Sequence, residues 1–125
     1  MHDFAQGFQS RGEEVALCGD FNVAHTPMDV HPKERREVIG QLPMERHALD
    51  DILGRGLVDL GRKAAPDDDA LYTWWAPWRE MRARNIGWRL DYIYASPLLA
   101  ARMTSCRVLK DVGTSDHAPV VAMFG

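Results

Sequence analysis

The 125-residue chain is poor in the features that mark specialised classes. It has only two cysteines, Cys18 and Cys106, and their spacing is not that of metal ligands. That argues against a disulfide scaffold or zinc module and leaves both as reduced thiols. No apolar run approaches the roughly 20 residues of a membrane-spanning helix, and "MHDFAQGFQSRGEE" is too polar for a signal-peptide core. Internal repeats and low-complexity stretches are also missing. Excess positive charge is lacking too: the formal net charge is −3, so nothing in bulk attracts nucleic acid. The length suits one domain rather than two.

What is present is a set of strand-like segments with polar interruptions. "VALC" at 15–18 is a short unbroken apolar run, which predicts a strand buried on both faces. It runs into Gly19, Asp20, Phe21 and Asn22, and strand alternation would aim Asp20 and Asn22 to one side. A long polar loop follows to about Gly40. "PMERHALDDILGRG" predicts a helix opened by Pro43, with Leu49, Ile52 and Leu53 as its apolar stripe and Gly54 or Gly56 at its end. "ALYTWW" and "WRLDYIYAS" predict strands, Pro97 opens a helical turn, and "MTSCRVLK" and "APVVAMF" predict the last two strands. "DFAQGFQS" has the spacing of a helix end. Strands mixed with a helix, without regular βαβ alternation, predict an α/β or α+β sandwich.

Three polar segments carry the chemical signal. Asp91 lies inside an aromatic-rich strand, where an unpaired carboxylate is costly and an imidazole is its natural partner. Ser115-Asp116-His117 precedes the last strand and supplies such an imidazole. Asp20 and Asn22 add a second acid and an amide. Such a set suits phosphodiester hydrolysis, which needs a base for water, donors for the charge on phosphate and a divalent cation. Arg79, Arg82, Arg84 and Arg89 interleave with Trp74, Trp75, Trp78 and Trp88, a combination suited to phosphate contact and stacking.

"GDFN", "NIGWRLDY" and "SDHAP", in this order, resemble the C-terminal half of the exonuclease III-type apurinic/apyrimidinic (AP) endonucleases, within the endonuclease/exonuclease/phosphatase superfamily. "LYTWW", "REMRARN" and the helix segment also fit. The resemblance implies a DNase I-like fold: an α/β sandwich of two sheets, mostly antiparallel, with flanking helices, of which residues 1–125 form the C-terminal half. It implies Asp20 orienting water, Asn22 beside it, His117 donating to the phosphate, and Asp91 on the other ring nitrogen. Asp116 would lie at the metal side, with Mg²⁺ (or Mn²⁺) as the ion. Trp74, Trp88 and Leu90 would wall a pocket for an abasic sugar, Arg82 and Arg84 would follow the DNA backbone, and Trp78 would face the duplex. The partners implied are duplex DNA with an abasic site and either the family's N-terminal half or a second copy on the exposed sheet face. The setting implied is cytoplasmic, bacterial-type and acting at the nucleoid, with no membrane. The family's metal-ligating glutamate, early asparagine and phosphate-site tyrosine have no counterparts before residue 15. Two other readings remain: a phosphatase of the superfamily, or a binding fragment without catalysis.

Overall fold

Residues 14–112 and 115–125 are described by a computed structural model. The helical turn expected over "DFAQGFQS" lies outside them. Strand β1 (Ala16–Asp20) pairs antiparallel with β5 (Asp91–Ala95), which also pairs with the short β2 (Val58–Asp59), giving the order β1-β5-β2. Helix α1 (Pro43–Gly54) covers one face of this sheet. Leu17 of β1 packs there with Leu49, Ile52, Leu57, Tyr92 and Tyr94. The other face of β1 is open, with Ala16 and Cys18 exposed. The run "VALC" is therefore buried on one face only, because only α1 stands against it.

Helix α1 begins where the sequence predicts, at Pro43, whose missing N–H costs nothing in the first turn. The Glu45 carboxylate accepts from the amides of Gly40 (2.8 Å) and Leu42 (3.1 Å), satisfying donors at the helix entry. Helix α2 (Leu60–Ala64) follows β2 and is capped by the Asp59 side chain, which accepts from the Arg62 amide. Short strands β3 (Trp74–Trp75) and β4 (Gly87–Trp88) form a two-stranded ladder. Helix α3 (Pro97–Ala101) leads into the hairpin of β6 (Met103–Val108) and β7 (Val120–Phe124). Leu60, Ala95 and Ala100 are buried together, with Cys106 and Ala122 packed on them. The result is the α/β, mostly antiparallel arrangement the sequence predicts.

Two details depart from the sequence reading. "WRLDYIYAS" is not one strand: β4 ends at Trp88 and β5 starts at Asp91, with Arg89 and Leu90 between. At this break the Thr73 hydroxyl accepts from both the Leu90 and Asp91 amides, at 2.9 and 3.1 Å, replacing ladder partners. The second departure is the 22–42 loop, which is ordered by two short 3₁₀ turns (Pro27–Asp29 and Pro32–Glu34). Its Val30 and Ala24 pack under Trp88 and Leu90. Gly40 has φ +94°, and a Cβ there would lie 2.7 Å from Trp88 Cζ3, so glycine lets the loop close on the indole edge.

Candidate active site

The antiparallel register sets Asp20 directly opposite Asp91. The His117 ring stands between them: Nδ1 lies 2.9 Å from Asp91 Oδ2, and Nε2 lies 3.6 Å from Asp20 Oδ2. All three side chains are partly exposed, so the constellation is reachable from solvent. Burial alone would lower the His117 pKa. The hydrogen bond and charge of Asp91 outweigh it, aided by Asp20 and Asp116, and the net shift is upward. The pairing expected for the carboxylate inside the aromatic strand is thus made.

Asp20 does double duty. Its Oδ1 accepts from the Asn22 amide at 2.8 Å, a short side-chain-to-backbone turn. Asn22 itself takes φ +56°, a left-handed conformation that asparagine tolerates better than most residues. β1 ends at Asp20. Asn22 is therefore held near the carboxylate by this turn, whereas the sequence reading relied on alternation.

The segment bearing Asp116 and His117 is tethered to β3. Trp75 N–H donates to the Asp116 carbonyl (3.2 Å), and Ala118 N–H donates to the Thr73 carbonyl (2.8 Å). The Trp74 indole Nε1 donates to Asp116 Oδ2 at 3.0 Å, the main cause of that carboxyl's lowered pKa. Trp74 also meets Trp88 edge to face, with ring centroids 5.7 Å apart, and both pack with buried Leu90. The three residues expected to wall one pocket are therefore neighbours. An open cleft of about 670 Å³ lies beside Asp116, lined by Trp75, Pro77, Arg82, Lys110 and Ser115.

The four clustered arginines separate in space. Trp78 is 59% exposed on the β3–β4 loop, next to Arg79 and Glu80, both with φ +53°. Arg84 is exposed there and donates to the Arg79 carbonyl. Arg82 turns inward and directs its N–H groups to the carbonyls of Lys110, Val112 and Ser115. Arg89 is buried, at 2% exposure, and bonds Asp29 and Asp59, while Arg62 also bonds Asp29. Sequence reasoning grouped Arg89 with surface cations. The sequence carried no signal for this, because Arg89 falls in the break between β4 and β5, where strand alternation does not apply. Asp29, in a loop, gave no signal. Thr73 gave none either.

Asp20, Asp91 and His117 offer two carboxylate oxygens and an imidazole nitrogen within 4.8 Å of one another, a group that could hold a metal ion. The donors fit a hard cation only in part. Asp91 is committed to the imidazole, and Asp116, expected at the metal side, is not one of the three: its Oδ2 accepts from the Trp74 indole instead.

Comparisons with known proteins place the chain in a family. Residues 1–117 match the endonuclease/exonuclease/phosphatase family, and the chain belongs to that family. Within it, the chain is 42% identical to an exodeoxyribonuclease of Bacillus subtilis over 85% of its own length and 42% of the relative's. It is 36% identical to a DNA repair nuclease of Danio rerio, over 85% of this chain and 34% of that one. Among solved structures, a 3′ phosphatase from Neisseria bound to a product DNA hairpin superposes with TM-score 0.90 and 33% identity, covering 99% of this chain and 50% of that chain. An AP endonuclease from Archaeoglobus fulgidus gives 0.85 and 32%, over 98% of this chain and 50% of that chain. The chain spans half or less of the length of these relatives.

Proposed function

We propose that this chain carries the His–Asp part of a metal-dependent DNA phosphodiester hydrolase acting at abasic sites. The observation behind this reading is the single constellation of Asp20, His117 and Asp91, set beside Trp74, Trp88 and Leu90. Asp91 holds the His117 ring and favours its protonated form, so Nε2 is the donor to a phosphate oxygen. Asp20, with Asn22 alongside, orients the attacking water. The indoles and Leu90 select an extruded sugar by shape, and a sugar without a base costs little to unstack. Trp78 and Arg84 lie on the duplex side.

Mg²⁺ is the ion favoured by the oxygen donors, with Mn²⁺ as a substitute, and Asp116 would meet it directly or through water. When bound, it supplies neutralisation of phosphate charge. The partners are duplex DNA with an abasic site and a second polypeptide covering the open face of β1. Among the described residues no helix is long and apolar enough to cross a membrane.

A second reading, removal of groups from DNA 3′ ends, is favoured by the similarity to the Neisseria 3′ phosphatase. One experiment separates them: duplexes with an internal abasic site or a 3′-phosphate, with and without Mg²⁺, and inositol phosphates as control. Metal-dependent cleavage at the abasic site supports the first reading. Release of 3′-phosphate alone supports the second, and turnover of inositol phosphates alone overturns both.

A further inference from the structure

We propose that Arg82 is a positioning residue that clamps the segment bearing Asp116 and His117, and that it makes no contact with DNA phosphate. This inference rests on the reading of that segment as part of the active site. A guanidinium has five N–H donors. Arg82 makes four hydrogen bonds within the chain: Nε (3.0 Å) and Nη2 (2.5 Å) to the Lys110 carbonyl, Nη2 to Val112 (3.2 Å), and Nη1 to Ser115 (2.6 Å). Little is left to offer a phosphate.

The platform under the guanidinium is rigid. Its carbon lies 4.7 Å from the centroid of the Trp75 ring, a cation–π arrangement. Trp75 is 1% exposed, and its indole donates to Asn85 Oδ1 at 3.0 Å. Gly87 backs the indole so closely that a Cβ would lie 2.5 Å from Trp75 Cδ1. Trp75 in turn donates its own amide to the Asp116 carbonyl. Arg82 therefore ties the carbonyls before and after residues 113–114 to a fixed ring, one residue from Asp116 and two from His117. A planar fork can serve three carbonyls in this way; the compact ammonium of lysine cannot reproduce the geometry.

The two roles predict opposite behaviour of the charge-conserving variant. Arg82→Lys and Arg82→Ala are compared with the wild-type chain by backbone amide exchange and by binding and cleavage of an abasic duplex across salt concentrations. For a clamp, both variants exchange the Trp75 and Ala118 amides at least about tenfold faster, while the Leu49 and Ile52 amides of α1 stay protected. The salt dependence of binding is unchanged, and turnover falls by about 10²-fold with little change in KM, the scale of a small misplacement of reacting groups. The clamp is overturned if Arg82→Lys matches wild type in exchange and turnover while Arg82→Ala flattens the salt slope by about one, the signature of a lost phosphate contact. If Arg82→Ala loses protection throughout, Arg82→Lys decides. If no form cleaves or binds the duplex, the functional reading fails, and the exchange data still judge the clamp.

Discussion

Asp20 and Asp91 face each other across the β1–β5 ladder, and the imidazole of His117 is the only described side chain that bonds or ion-pairs with both. Two carboxylates opposite one another would repel without a cation between them. The ring supplies it, which links the protonation of His117 to the register of the sheet.

Replacing Asp91 with Asn keeps the shape and removes the charge that favours imidazolium. Cleavage of an abasic duplex, by the chain in whatever assembly is active, should fall at least about tenfold, the low end of losses from groups that orient a functional His. An unchanged single-turnover rate would remove Asp91 from the site.

Trp88→Ala should reduce the preference for abasic over intact duplex more than it reduces affinity, because a wall that selects by shape carries no phosphate contact. Trp88→Phe should retain most of the preference. Competition binding with the two duplexes measures it. A uniform loss of binding to both would make the role of Trp88 structural.

The buried ion cluster predicts acid sensitivity. Burial raises the Asp29 pKa, but the charges and hydrogen bonds of Arg89 and Arg62 outweigh it and hold the carboxyl below its ordinary value of 3.8. A group with a depressed folded pKa contributes stability that is fully present above the unfolded value and is lost as pH falls through the folded one. Stability should therefore drop below about pH 3.8. Arg89→Met leaves Asp29 and Asp59 short of a partner and should cost about 3–5 kcal/mol near neutrality, read from the urea midpoint. A loss under about 1 kcal/mol would mean that Arg89 adds little net stability through the cluster.

The open face of β1 predicts association. Ala16 and Cys18 are exposed on it, and Met123 and Phe124 are exposed large apolar residues at the end of β7. Sedimentation of the 125-residue chain should show dimers or larger species, or a monomer that melts without cooperativity. A monomer with a sharp thermal transition would show that this face needs no cover.

Much of the site was legible because short motifs sit where strands end. Asp20 ends β1, Asp91 starts β5, and His117 lies in the polar Ser115-Asp116-His117 run three residues before β7. Helix α1 was legible from its Pro43 start and its Leu49–Ile52 stripe. The arginines were not, since a run of cations looks the same whether its members face solvent, carbonyls or buried acids. Arg82 and Arg89 are separated from Arg84 only by what the folded chain brings beside them, and those partners lie 28 to 60 residues away. The break at Arg89–Leu90 was equally hidden, because it depends on the Thr73 hydroxyl seventeen residues earlier.

The ion cluster joins Asp29, Asp59, Arg62 and Arg89, and Arg89 is flanked in sequence by Trp88 and Leu90. This has a consequence for chimeras between family members. A crossover between residues 29 and 59 takes Asp29 from one parent and Asp59, Arg62 and Arg89 from the other, so one of the two buried carboxylates that meet Arg89 comes from a different background. A graft carrying residues 20 through 117 as one cassette keeps the ion cluster, the packed Trp74, Trp88 and Leu90, and the Asp20–His117–Asp91 set from a single parent, and it is the shortest continuous segment that holds all of them.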